Sequence, residues 1–133
     1  MEKTSLSASA KKNILLLIED NPLLTGMYKT AFEKKGIEVL VAHDGESGLS
    51  MVKERKPNLV LLDMLMPGID GLTVLEQIKK DPRTAHTVVI MLTVVQDEEK
   101  QNRARELGAT DYLMKPDLEL HEIVERVFRH LAA

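Results

Sequence analysis

The stretch LVLLDMLMPGIDG, residues 59–71, decides the fold. Leu59 to Leu62 form an apolar run without polar alternation, the mark of a strand buried on both faces of a parallel sheet. The run ends on Asp63, stays apolar through Met66 and turns at Pro67–Gly68. It restarts at Asp70–Gly71 as a helix, with Asp70 at the cap and Leu72, Leu75 and Ile78 on one face, ending at Asp81–Pro82. A strand, a short loop carrying a carboxylate and an amphipathic helix make one β-α unit.

The same unit recurs on either side. Apolar runs at Ile14–Ile18, Ile37–Ala42, Thr87–Leu92 and Thr110–Met114 each read as a short buried strand. Asn21 caps a helix with Pro22 at its first position, an inward face of Leu24, Met27, Tyr28, Ala31 and Phe32, and a stop at Gly36. Asp44 caps the next, with Leu49 and Val52 inward and Pro57 beyond its end near Arg55. The fourth helix, QDEEKQNRARELG, has only Ala104 and Leu107 as clear inward positions and stops at Gly108, so it reads as a solvated edge or a weakly anchored element. Pro116 and Asp117 start a fifth helix with a broad stripe of Leu120, Ile123, Val124, Val127, Phe128 and Leu131. Five β-α units in series predict one α/β domain with a parallel sheet, doubly wound by right-handed crossovers.

Bulk properties narrow the function. A chain of 133 residues fits one domain, and 29% charged residues beside 44% apolar ones exclude disorder over most of its length. A formal charge of −3, with no lysine–arginine stripe, predicts no direct nucleic-acid binding. No apolar run approaches a membrane span, and residues 1–12 read as a disordered leader rather than a signal peptide. The lack of cysteine excludes disulfides and thiolate metal sites and suits a cytoplasmic location. His43, His86, His121 and His130 form no zinc spacing.

The residues just past the strands carry the chemistry. The first strand is followed by Glu19 and Asp20, the third by Asp63, the fourth by Thr93 and the fifth by Lys115. In a parallel α/β sheet these C-terminal ends share one edge, where ligands bind. Each residue alone has a plain structural reading: a solvated turn, a helix cap for Thr93, a surface lysine. Together they place three acids, a hydroxyl and an ammonium at one site. Clustered acids call for a cation, and a few carboxylates plus water suit Mg²⁺. A carboxylate flanked by Mg²⁺, lysine and hydroxyl has the parts of phosphoryl transfer, with Asp63 as the nucleophile.

These residues, in the stretches ILLLIEDNP, LVLLDMLMPGIDG, VVIMLT and GATDYLMKP, resemble the receiver domain of bacterial two-component response regulators, the CheY-like superfamily, over residues 13–131. The resemblance implies a flavodoxin-like (βα)5 fold, a five-stranded sheet in the order 2-1-3-4-5 with helices on both faces. It implies that Asp63 accepts a phosphoryl group from a sensor histidine kinase, a phosphotransfer protein or a small acyl phosphate, without turnover as an enzyme. Asp20 and Asp63 would bind Mg²⁺ with the Leu65 backbone carbonyl, and Glu19 would act through water. Thr93 and Lys115 would contact the phosphoryl oxygens, and Tyr112 would be the switch aromatic, turning inward as Thr93 shifts. The fourth helix, fifth strand and fifth helix would form the face for a downstream effector or a homodimer. The Lys115–Pro116 bond would be cis.

Three departures from the family pattern bear on behaviour. Glu19 stands where the family often has aspartate. Val94 is bulkier than the small residue usual after the threonine and narrows access to the site. Leu65 and Val95 occupy positions where many relatives carry polar residues, which predicts a long-lived phosphoryl group. Two other readings remain open. A magnesium phosphatase would need an acid close after Asp63, where Met64, Leu65 and Met66 stand, and would turn over a generic phosphate ester. A phosphorylation-independent adaptor would not bind Mg²⁺.

Overall fold

The computed structural model describes residues 13–94 and 96–132. The expected leader and Val95 lie outside the described residues. Strand β1 (Ile14–Ile18) leads to α1 (Pro22–Glu33), β2 (Glu38–Ala42) to α2 (Gly45–Arg55), and β3 (Leu59–Asp63) to α3 (Gly71–Lys80). Strand β4 (Val88–Thr93) leads to α4 (Glu98–Leu107), and β5 (Asp111–Met114) runs through a 3-10 turn at Lys115–Asp117 into α5 (Leu120–Ala132). All pairings are parallel, and the order is β2-β1-β3-β4-β5. This is the doubly wound flavodoxin-like sheet expected from the chain.

Alternation along the strands splits the core into two layers. Leu15, Leu17, Leu59, Leu61, Ile90, Leu92 and Leu113 pack against Tyr28 and Phe32 of α1 and Ile123, Val124 and Val127 of α5. Leu16, Ile18, Val60, Leu62, Val89 and Met91 pack against Val52, Val74, Leu75, Ile78 and Ala104 of α2, α3 and α4. Every residue of β3, including Asp63, is buried. The apolar run therefore fixes the backbone of the carboxylate that ends it.

The caps follow local chemistry. The Asn21 side chain accepts from the N–H groups of Leu23 and Leu24, Asp44 from Ser47 and Asp70 from Thr73. Three expectations change. Met27 is 48% exposed, while Thr25 is buried, its hydroxyl donating to the Pro22 carbonyl at 3.0 Å. That bond satisfies the hydroxyl locally, so the threonine can be buried. Pro116 lies in the 3-10 turn, and α5 begins only at Leu120. Finally, the Lys115–Pro116 bond is trans. The proline occupies an ordinary first-turn position, where its missing N–H costs nothing, and the turn closes by Leu118 N–H donating to the Lys115 carbonyl at 3.3 Å.

Candidate functional site

Glu19, Asp20, Asp63 and Lys115 meet at the C-terminal edge of the sheet, with Thr93 ending the strand beside Asp63. Asp63 ends β3 and pairs with Leu92, so Thr93 lies one position beyond it on the adjacent strand. The loop after Asp63 is tied at both ends. Met64 N–H donates to the Leu92 carbonyl at 3.3 Å, and Gly71 N–H to the Met64 carbonyl at 3.0 Å. Gly71 packs against this loop, although its sequence context signals only a helix start. A Cβ there would run into the Asp63 carbonyl oxygen and lie 2.8 Å from the Met64 Cα. Only glycine lets α3 pack this close to the Asp63 peptide.

The ligating oxygens of Glu19, Asp20 and Asp63 all lie within 4.8 Å of one another. Glu19 and Asp63 are buried and Asp20 is exposed, which leaves the cluster open to water on one side. Lys115 Nζ lies 2.7 Å from Glu19 Oε1 and 3.9 Å from Asp63 Oδ2. Glu19 Oε2 accepts from the Asn21 N–H at 3.1 Å, so the residue that caps α1 also holds the first acid. Leu65 N–H reaches Asp63 Oδ1 at 3.4 Å, at the long limit of a hydrogen bond. His43, which no spacing in the sequence ties to the site, places Nδ1 3.2 Å from the Glu19 carbonyl oxygen.

The charges are unevenly satisfied. Burial pushes the Asp63 carboxyl up to about 7; the neighbouring Glu19 charge adds to this and Lys115 opposes it. Burial also raises Glu19, but the hydrogen bonds from Lys115 and from Asn21 N–H outweigh it, and its net displacement is downward. Burial, with the charges of Glu19 and Asp63, moves the Tyr28 hydroxyl up to about 12. Without a cation, burial and the Glu19 charge therefore favour the protonated form of Asp63 over that of an ordinary carboxylate.

Thr93 is fully buried. Strand alternation puts it on the same face as Met91, in the layer that also holds Tyr112 and Ala104. The Tyr112 hydroxyl is buried and has no hydrogen-bond partner among the described residues. The expectation that Thr93 caps the fourth helix fails because Thr93 belongs to β4; Asp97 is the cap, accepting from Lys100 N–H at 3.2 Å. Leu65 is 45% and Val94 55% exposed at the rim, joined by Leu23 at 75% at the start of α1.

A family profile for the response regulator receiver domain matches residues 15–128. The chain belongs to the response-regulator receiver family. This receiver domain is 38% identical over 104 residues to protein PilH of Pseudomonas aeruginosa, covering 77% of this chain and 84% of that protein. It is 34% identical over 113 residues to the DNA-binding dual master transcriptional regulator RpaA of Synechocystis, covering 85% of this chain but only 46% of RpaA. Among solved structures, a response regulator of Chloroflexus aurantiacus superposes with a TM-score of 0.84 at 34% identity, covering 92% of this chain and all of that one. A CheY-like receiver of Methanospirillum hungatei gives 0.86 at 25% identity, covering 92% and 95%.

Receiver domains are phosphorylation-dependent signalling domains rather than classical enzymes, and they bind Mg²⁺ at an acidic pocket. The oxygen-only donor set of Glu19, Asp20 and Asp63 fits that ion: hard ligands, few carboxylates and an open side for water. Among the described residues, no helix is long and apolar enough to cross a membrane.

Proposed function

We propose that this receiver domain is the phosphoacceptor switch of a two-component pathway, with Asp63 as the acceptor. The observation that carries this is the convergence of three carboxylates and a lysine at the end of a fully buried strand. The donor is the phosphohistidine of a sensor kinase or phosphotransfer protein, or a small acyl phosphate. An Asp63 oxygen forms the new P–O bond as the P–N bond to imidazole, or the P–O bond to the acyl group, breaks. The bonding pair leaves with the donor, which takes a proton from solvent if it needs one.

Asp20, Asp63 and the Leu65 carbonyl would hold Mg²⁺, and Glu19 would contribute through water. The ion would neutralise the carboxylates and the phosphoryl oxygens. Lys115 and Thr93 would hold the remaining oxygens, and the rigid β3 presents the nucleophile without reorganisation. Leu23, Leu65 and Val94 are exposed apolar residues that follow the strand ends carrying the site, and they would suit a protein donor better than a free metabolite.

Output would run through the α4–β5–α5 face. Thr93 and Tyr112 share a sheet face with α4, whose only fully buried residue is Ala104. A shift of Thr93 toward the phosphoryl group would open space for Tyr112 and bias α4 between two positions, altering the binding of an effector or a second copy. The chain spans less than half of RpaA and most of PilH, so the output module is not set by these relatives.

The test is to incubate the protein with Mg²⁺ and a small acyl-phosphate donor beside Asp63→Asn, and weigh both intact. One phosphoryl adduct, absent in the variant and without Mg²⁺, is expected. No adduct, with no binding of a beryllofluoride mimic, would instead support a phosphorylation-independent adaptor.

A further inference from the structure

Three hollows run together into one groove between α1 and α5. Ala31, Lys34 and Leu120 line both the first and the second, and Lys35 and Glu125 both the second and the third. The first part is apolar, with Leu23 75% and Met27 48% exposed on the α1 wall and Leu120 on the α5 wall. Gly26 lies on the same α1 wall, exposed in the middle of the helix. It takes no left-handed φ, and a Cβ there would meet nothing within 4 Å. Glycine inside a helix is destabilising relative to alanine, and the packing of the described residues does not call for it. What a bare backbone serves is the close approach of another surface.

Further along, the two walls carry opposite charges. Lys34 and Lys35 stand on the α1 side and Glu119 and Glu125 on the α5 side, all four exposed. Among the described residues none of the four has an ion pair, and Lys35 Nζ lies 5.8 Å from the Phe128 ring centroid. His121 and Arg129 also line the α5 side, so the glutamates are its negative points.

We propose that this groove is the contact between two copies of the chain, paired about a twofold axis that runs along it. Such an axis sets each wall against the opposite wall of the partner at the same level. Lys34 and Lys35 then face the partner's Glu119 and Glu125, twice over, and the partner's Leu120 reaches the bare backbone at Gly26. An axis across the groove would instead set α1 on α1 and leave the lysines away from the glutamates. The pairing covers the exposed Leu23 and Met27 and needs no phosphoryl group. Leu23 is then open to a protein donor only in the monomer.

The test is sedimentation velocity of the unphosphorylated full chain up to about 0.5 mM, a range that captures weak pairing through a small interface. A reversible dimer is expected. Lys34→Glu with Lys35→Glu, and separately Glu119→Lys with Glu125→Lys, should each weaken it by roughly a hundredfold or more. An equal mixture of the two variants should pair again, because every reversed wall then meets its complement. Gly26→Gln should weaken pairing roughly tenfold while raising the melting temperature of the dilute monomer, since glutamine is the better helix former. A chain that stays monomeric at about 0.5 mM would overturn the proposal. So would a dimer indifferent to these changes, which would place the contact on another face, or reversed variants that stay apart when mixed.

Discussion

Replacing Asp63 by asparagine should stabilise the magnesium-free protein, and by more at high pH than at low. The Asp63 carboxyl titrates at about 7 in the folded chain, against 3.8 when unperturbed. A folded value above the unfolded one means that the folded state holds a proton the unfolded state has released. The resulting penalty is absent below the unfolded value, grows from about pH 4 to about pH 7, and stays constant above that. Some three pH units at about 1.4 kcal/mol each set a ceiling of about 4 kcal/mol at pH 8. Asparagine removes the charge but must bury an amide in its place, which halves the expected gain to about 2 kcal/mol. For a domain of this size that corresponds to a rise in melting temperature of roughly 6–10 °C. The chain has no tryptophan, so far-ultraviolet circular dichroism is the convenient probe of urea or thermal unfolding. At about pH 4.5 the charge penalty is only about 1 kcal/mol, no larger than the cost of the buried amide, so the advantage should vanish or reverse. Saturating Mg²⁺ should reverse the order, because the ion binds the folded wild type and lowers its free energy. An asparagine variant that is less stable than wild type in chelator at pH 8, or equally favoured at both pH values, would refute the reasoning.

Gly71→Ala should cost about 1–3 kcal/mol through the forced shift of the Asp63–Met64 peptide, and should weaken Mg²⁺ binding measured by calorimetry. Gly48→Ala, whose Cβ would run first into the Ile18 side chain, should destabilise without the same loss of affinity. Leu65→Asn should shorten the phosphoryl lifetime, since a polar side chain at this 45% exposed rim can order an attacking water; an unchanged decay rate by phosphate release would sink the idea. Arg103→Ala should change stability by less than about 0.5 kcal/mol, because its contacts to Glu76 and Glu106 are long and solvent-exposed.

The parts of the fold that were legible rest on local chemistry. Asn21, Asp44 and Asp70 each satisfy orphan N–H groups within three residues, so their caps are written in consecutive letters. Buried parallel strands betray themselves by unbroken apolar runs. The strand ends were harder. β3 and β4 each extend one residue further than the apolar run, because Asp63 and Thr93 complete the ladder although they are polar. Periodicity placed Met27 inside and said nothing of Thr25, since hydrophobicity does not register a hydroxyl satisfied by its own helix. At the site, the convergence of Glu19, Asp20, Asp63, Thr93 and Lys115 followed from topology alone. The choice of Lys115 between two acids did not, because a difference of about an ångström across 96 positions of sequence leaves no trace in spacing. Gly71 left a signal, a glycine directly after a cap, but its reason lies in the peptide it overlies.

Helix α4 folds onto the sheet through one fully buried residue in ten, Ala104. Folding therefore dictates little of its sequence, whereas every position of β3 is constrained by burial. Related switches that share one cell can diverge along such a helix without endangering their cores. In the proposed switch, the weak attachment that would let α4 move would also leave its surface available as an address, keeping one pathway from answering another's signal.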